Sequence, residues 1–339
     1  SVARWLLRYK WVIAAGLVVL TLVSACQYAS PPTRAGEYIL LTSDEYHWPE
    51  DHIFAVLPDG SRLTRLGMGF DPACSPDGRR ITFAAPVGPF LPDGRNPYTQ
   101  IFVMDADGSN VKQLTFGDDY SDSPAWSPDG RRLAFPEYGG IAVMDLNTLA
   151  VTHLTNLGGH AVWPTWSPDG QRLVFYMSGK QDEGGLYVVN IDGSSLTRLT
   201  SGSDWEPDWS PDGRHIVSLH GETVFSSHTL RVVESDGSNP VDILPGEQEG
   251  QSPELLQSPE WSPDSKRIIF RGSHLLSPEE AGNRTIGEWR NAVYMVSADG
   301  SELKLVIQPS GSVWGWEQGA LLPLLRGVMY GKVDWCKVR

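Results

Sequence analysis

Apolar positions along this chain come in short runs divided by tight-turn residues. Leu133-Ala-Phe135, Leu173-Val-Phe175 and Ile268-Ile-Phe270 are unbroken apolar runs, the pattern of strands covered on both faces by neighbouring sheets. Each follows a Ser-Pro-Asp turn, and these turns begin at Ser75, Ser127, Ser167, Ser210 and Ser262, at intervals of 52, 40, 43 and 52 residues. The whole stretch Ser123–Phe135 has counterparts at Asp71–Phe83, Trp163–Phe175, Glu206–Ser218 and Ser258–Phe270. A repeat of this length suits one blade of a β-propeller.

The residue types explain the unit. Ser opens the turn, Pro already has the φ of its second position, and Gly accepts the positive φ that closes it. A Trp precedes the turn at positions 126, 166, 209 and 261, where a large ring is expected to fill the space between adjacent blades. A second hairpin follows each copy. It reads Ile101–Ser109 then Val111–Thr115, with parallels at Ile53–Leu66, Ile141–Thr155, Leu186–Thr200, Leu230–Leu244 and Val293–Ile307. Each blade is therefore predicted to have four strands: a (Pro-x-Trp), b (Leu-x-Phe), c (Ile-x-Val) and d (Leu-Thr).

The Trp-Ser-Pro-Asp-Gly-(Arg/Lys)-(Arg/Lys)-hydrophobic signature, followed by hydrophobic-x-Val-Met-Asp-x-Asp-Gly and Leu-Thr, resembles the repeat of the TolB-type β-propellers, bacterial relatives of WD-type repeats. The resemblance covers roughly residues 37–316. Glu37-Tyr-Ile-Leu-Leu-Thr42 reads as strand b of a first blade without its own strand a. The candidate for that strand is Ser312-Val-Trp-Gly-Trp-Glu317, with Trp316 at the repeat's Trp position. Pairing it into the first blade would close the ring and remove open sheet edges. The expected fold is all-β, a six-bladed β-propeller of four-stranded antiparallel blades over residues 37–317, closed by a C-terminal strand, with 318–339 as a tail. Seven blades is the alternative, if Leu321–Lys332 supplies further strands.

Residues 1–36 have a different character, with an N-terminal apolar helix expected ahead of the propeller. Arg4, Arg8 and Lys10 precede an uncharged apolar run from Trp11 to Ala25, which is the layout of a signal sequence. Fifteen helical residues span roughly 22 Å, short of the roughly 30 Å of bilayer hydrocarbon. The run ends in Leu22-Val-Ser-Ala-Cys26, which resembles the lipobox of bacterial lipoproteins, so lipidation is expected at Cys26. Residues 1–26 are thus read as signal peptide and 27–36 as a linker. An uncleaved anchor from about Arg4 to Tyr28, with Arg8 and Lys10 reaching the interface, is the alternative.

Connectivity puts the short, glycine-built a-to-b and c-to-d turns on one face of the ring. The long b-to-c and d-to-a connections fall on the other, where binding is expected. Asp118, Asp119, Tyr120 and Asp122 lie in one d-to-a loop and Asp204, Trp205 and Glu206 in another. Trp48, Trp163 and Trp289 are further loop aromatics on that face, and His160 lies beside them. Aromatic rings next to carboxylates suit a protein interface or a sugar, although a solvated acidic rim has the same composition. Asp71, Glu206, Asp208 and Glu260, within or just before strand a, are candidates either to reach the central channel and favour a cationic partner or to remain hydrated.

Charge and chemistry narrow the function. A net charge of −14 argues against nucleic acid as partner. The sequence holds no Gly-x-Ser-x-Gly, His-Glu-x-x-His, phosphate loop or Cys-x-x-Cys, and no catalytic residue is assigned. The eight His show no ligand spacing. Asp-x-Asp-Gly stretches such as Asp105–Gly108 lack the later carboxylates of a calcium loop and read as turns. No metal or cofactor is therefore expected. Cys74 occupies the repeat's Trp position and Cys336 lies in the tail; a free, buried Cys74 is preferred over a disulfide between them, which an extracytoplasmic location would permit.

Together these features predict a membrane-tethered, extracytoplasmic propeller of a bacterium, on the periplasmic or cell-surface side. It would act as a non-catalytic protein-binding or scaffold module, an accessory subunit of an envelope or membrane protein complex. Two alternatives are a carbohydrate-active, lyase-like enzyme with a metal at the channel mouth, as in pectin-degrading lyases of similar architecture, and a solute sensor.

Overall fold

The structure, a computed structural model, describes residues 37–43, 51–58, 61–88, 98–155, 159–178, 184–200, 203–221, 229–244, 254–275, 289–307 and 334–337. The leader with Cys26, Trp48 and the segment 312–317 lie outside the described residues.

Blade 1 opens with β1 (Glu37–Ser43), β2 (His52–Val56) and β3 (Thr64–Met68). Blade 2 is β4 (Phe70–Cys74), β5 (Arg80–Val87), β6 (Tyr98–Asp105) and β7 (Lys112–Gln113), and blade 3 is β8 (Ala125–Trp126), β9 (Arg132–Glu137), β10 (Gly140–Asp145) and β11 (Val151–His153). Blade 4 follows as β12 (His160–Trp166), β13 (Arg172–Ser178), β14 (Gly185–Asn190) and β15 (Thr197–Arg198). Blade 5 is β16 (Asp204–Trp209), β17 (His215–His220), β18 (Thr229–Glu234) and β19 (Val241–Asp242). Blade 6 is β20 (Glu254–Trp261), β21 (Arg267–Leu275), β22 (Trp289–Ser297) and β23 (Leu303–Ile307), after which β24 (Asp334–Lys337) returns to blade 1. The described strands make six four-stranded antiparallel sheets, the first ordered β24-β1-β2-β3. This is the six-bladed propeller that the repeats predict.

Period-two alternation explains the ring. In β1, Ile39 and Leu41 pack with Ile269 and Val293 of blade 6, whereas Tyr38 and Leu40 pack with Ile81 and Phe83 of blade 2. Both faces of each blade are thus used, and one apolar cluster lies at each of the six blade junctions. The repeat Trp residues sit at these junctions as expected, with Trp126, Trp166, Trp209 and Trp261 all buried. Trp126 Nε1 donates to Ala73 O of the preceding blade at 3.1 Å, and Trp166 Nε1 donates to Ala125 O at 3.0 Å. The guanidinium groups of Arg80, Arg132 and Arg172 lie 4.8 Å over the rings of Trp126, Trp166 and Trp209. Over Trp261 that place belongs to His215, with ring centroids 6.2 Å apart.

Ring closure differs from the expectation in one element. It is made by β24 rather than by residues 312–317, so the C-terminal segment contributes a strand to blade 1. Counted from the second hairpin, Ile39 is the counterpart of Leu133; it faces Trp335 as Leu133 faces Trp126. Trp335, not Trp316, therefore holds the repeat position. The sequence signal was Asp334-Trp335, matching Asp208-Trp209. It is obscured because Cys336 replaces the turn's Ser and no Pro-Asp-Gly follows.

The expectation of a free Cys74 is also corrected, since Cys74 and Cys336 form a disulfide. Innermost strands of adjacent blades run side by side, and this brings the two Cα atoms to 5.6 Å, within disulfide reach. Tyr38 stands where blades 2, 3, 4 and 6 carry Arg and blade 5 carries His215, with its hydroxyl 3.4 Å from Cys74 Sγ. The Asp334 carboxylate accepts the Cys74 N–H, as that of Asp208 accepts the Trp261 N–H at 2.8 Å.

Candidate functional site at the channel mouth

Three residues before the repeat Trp position of blades 2, 4, 5 and 6, the inner strand breaks its ladder. Pairing shifts between Phe70 and Ala73, Val162 and Thr165, Trp205 and Asp208, and Gln257 and Glu260. The residues inside these bulges are Asp71-Pro72, Trp163-Pro164, Glu206-Pro207 and Ser258-Pro259, and Ser123-Pro124 takes the same place in blade 3. Pro has no N–H to donate, so the ladder loses nothing by the detour. The residue before it is left-handed in every case, with φ of 48° at Asp71, 44° at Ser123, 54° at Trp163, 49° at Glu206 and 51° at Ser258. Such a backbone costs about 1–3 kcal/mol per non-glycine residue, and the bulge re-aims the side chain. All five residues line one cavity of about 230 Å³, together with Gln257 and Glu260.

The cavity is acidic. Ser123 Oγ donates to Asp71 Oδ2 at 2.8 Å. The Ser258 N–H donates to Glu206 Oε2. Burial raises the Glu206 carboxyl to about 7, aided by the charge of Asp71 and opposed by the Ser258 bond and the buried Arg271 guanidinium. Beside it in sequence to Ser123, Asp122 is also raised to about 7, first by burial and then by the Asp71 charge.

The remaining predicted residues divide between structure and surface. Asp208, expected in the channel, instead joins blades by accepting from Trp261 N and from Thr165 Oγ1 at 3.1 Å. Trp205, expected on a loop, lies in β16 and is buried in the junction between blades 5 and 6. Asp204 is buried too, 2.7 Å from His220 Nδ1, while Arg231 approaches the same imidazole and pairs with Asp242. Trp163 is partly buried, with its ring centroid 5.8 Å from that of Tyr176. His160 is exposed at the start of β12, and Trp289 starts β22 opposite Leu275. Asp118 is exposed; Asp119 and Tyr120 belong to a loop pinned to blades 2 and 3. Ser123, Gln257 and Ser258 were missed as lining residues because Ser and Gln are unremarkable in loops. Their signal was the slot before Pro in each Pro-x-Trp. Among the described residues no three His, Cys, Asp or Glu side chains gather as metal ligands.

Comparison with known proteins agrees with the repeat reading. The family model of the TolB beta propeller domain matches residues 92–219. The Tol-Pal system protein TolB of Alcanivorax borkumensis is 38% identical over 126 residues, 36% of this chain and 19% of that protein. An uncharacterized protein of Agrobacterium fabrum is 26% identical over 204 residues, 58% of this chain and 52% of its own length. The chain thus spans about half of one of these relatives and about a fifth of the other. In fold, it is similar to the crystal structure of TolB from Acinetobacter baumannii, with a TM-score of 0.63 at 18% identity over 90% of this chain and 67% of that one. The ring of six blades shows that the chain carries a β-propeller, and its repeat together with these matches supports a propeller of the TolB type.

Proposed function

We propose that this propeller is a non-catalytic, extracytoplasmic protein-binding module, an accessory subunit of an envelope or membrane assembly tethered through residues 1–36. The observation that carries the reading is the channel mouth. Left-handed residues before the inner-strand Pro of five blades bring Asp71, Ser123, Trp163, Glu206 and Ser258 to one recess, a rigid concave site with an aromatic wall and carboxyls for orientation. Its acidity suits a partner segment carrying Lys or Arg. The match to a Tol-Pal system protein supports a role in a multi-protein system. The Cys74–Cys336 disulfide supports an oxidising compartment.

The test is cross-linking of the full chain in its native membrane, followed by identification of bound proteins and comparison with a Trp163→Ala/Glu206→Gln variant. The expected result is a discrete protein partner whose recovery falls at least tenfold with the variant. Equal recovery by both would place binding elsewhere. Tethering has its own readout, because mass spectrometry of the mature N-terminus distinguishes a diacylglyceryl Cys26 from an intact leader.

A further inference from the structure

Outside the channel, the loops over blades 2 and 3 present an aromatic and acidic patch. Phe116 is 74% exposed and Tyr138 is 67% exposed, unusual for such large side chains on a pinned loop. Gln100 Nε2 donates to Asp119 O at 2.9 Å, the Ser121 N–H donates to Thr99 O at 2.9 Å, and the Tyr138 N–H donates to the Asp119 carboxylate. The ring of Tyr120 meets that of Tyr98 edge-on at 5.4 Å. These ties join the patch across two blades and hold Phe116 and Tyr138 outward without burying either.

Charge identifies what the patch would accept. Between Leu114 and His153 the only Lys or Arg residues are Arg131 and Arg132, and both belong to the a-to-b turn on the opposite face of the ring. Asp118 is exposed beside Phe116 and Asp119 adds a second carboxylate, whereas the Glu137 carboxylate is 2.7 Å from His153 Nε2. Exposed aromatic faces next to an exposed carboxylate attract a guanidinium or ammonium group by cation–π and ionic attraction together. A second copy of this acidic chain would bring like charge to the patch.

We infer that the rim formed by Phe116, Asp118, Asp119, Tyr120 and Tyr138 is a second docking surface, which takes an Arg-bearing segment of a protein partner alongside an apolar side chain. The inference deepens the protein-binding reading and rests on it, but it assigns a surface separate from the channel recess. Arg is preferred to Lys because its planar group stacks on rings while its edge pairs with carboxylate.

The test uses the full chain and three fluorescent twelve-residue peptides with alternating Leu, whose other positions are Arg, Lys or Gln, read by fluorescence anisotropy. The expected order of affinity is Arg above Lys, with Gln not binding. Phe116→Ala or Tyr138→Ala should weaken the Arg peptide about tenfold, and Asp118→Asn should flatten its salt dependence. Both aromatic side chains are exposed, so an unchanged thermal midpoint separates this loss from misfolding. Leu196→Ala, an exposed residue of a c-to-d turn, should leave binding unchanged. Equal binding of the Gln peptide would overturn the proposal, as would affinity unaffected by Phe116→Ala and Tyr138→Ala. If instead the Arg peptide is lost only with Glu206→Gln, the cation belongs in the channel; the rim assignment then fails while the channel reading stands. Tighter binding of a neutral oligosaccharide than of the Arg peptide would also overturn it.

Discussion

At the scale of the residue, the slot before each Pro-x-Trp converts a repeat into a site. Asp, Ser, Trp, Glu and Ser occupy it in blades 2 to 6, at a backbone conformation that glycine would adopt more easily. Side chains there are kept at a conformational cost, which is sensible where they do something. Glu206 gives the pH test. Its folded pKa, about 7, lies above its unfolded value, so protonation favours the folded state. That contribution is complete below about pH 4 and is lost as pH rises through about 7. The thermal midpoint of the parent should therefore fall between pH 5.5 and 8 by more than that of Glu206→Gln, as read by calorimetry at the two pH values. A larger fall in the variant would reverse the sign. The buried Trp residues are tested differently. Trp166→Ala removes a large junction side chain and leaves Ala125 O without its donor, a loss of about 3–5 kcal/mol. Trp166→Phe should lose distinctly less, and chemical denaturation separates the two. Both the Trp position and the acidic slots were legible in the sequence, because their spacing to the turn is constant. The lining role of Ser123 and Ser258 was not, since only the bulge gives these small side chains a direction.

At the scale of the element, the Ser-Pro-Asp turn is a self-contained device. In blade 4, Ser167 Oγ donates to Asp169 Oδ1 at 2.5 Å and accepts from Arg172 N at 2.9 Å, while the Asp169 carboxylate also accepts the Gln171 N–H at 3.0 Å. The Ser167 bond first, and the Gln171 bond next, hold the Asp169 carboxyl below its usual range. This contribution is present above about pH 4 and lost as pH falls below it, the opposite sense to Glu206. Ser167→Ala should cost about 1 kcal/mol, measured by urea denaturation at pH 7, and less at pH 3. The turn was predictable because its hydrogen bonds run within a few residues. The closing strand was not. β24 has no hairpin partner in sequence, and its identity depends on facing Ile39 from the far end of the chain. A chain ending at residue 333 should expose the inner edge of β1 and melt at a markedly lower temperature, with association through that edge. Size-exclusion chromatography and a melting curve check both, and an unchanged monomer would mean that β24 is not the closure.

At the scale of the whole molecule, stability depends on the last blade junction forming. The apolar cluster between blades 6 and 1 closes one side of blade 1, and β24 with its disulfide to Cys74 closes the other. Because the linked residues are 262 apart in sequence, the bond removes a great deal of freedom from the unfolded chain and is worth about 2–5 kcal/mol. Addition of reductant should lower the thermal midpoint of the parent by several degrees, yet leave that of a Cys74→Ala/Cys336→Ala variant where it was. Equal response of both would dissociate the effect from this pair. At this scale too the proposed binding face is set, since the channel recess and the aromatic rim lie on the side of the long connections.

The amino-acid order alone determined the blade. Its turns, its alternating apolar positions and its Trp are local patterns, and local hydrogen bonds and period-two burial make each copy nearly self-specifying. What the order could not determine is which distant pieces meet. Cys74 and Cys336 become partners, Trp335 becomes the fifth repeat Trp, and Trp205 and Asp204 turn inward, only because curvature of six packed sheets returns the last strand to the first. Those contacts depend on the accumulated angle between blades, a property of the packed ring that no single repeat contains.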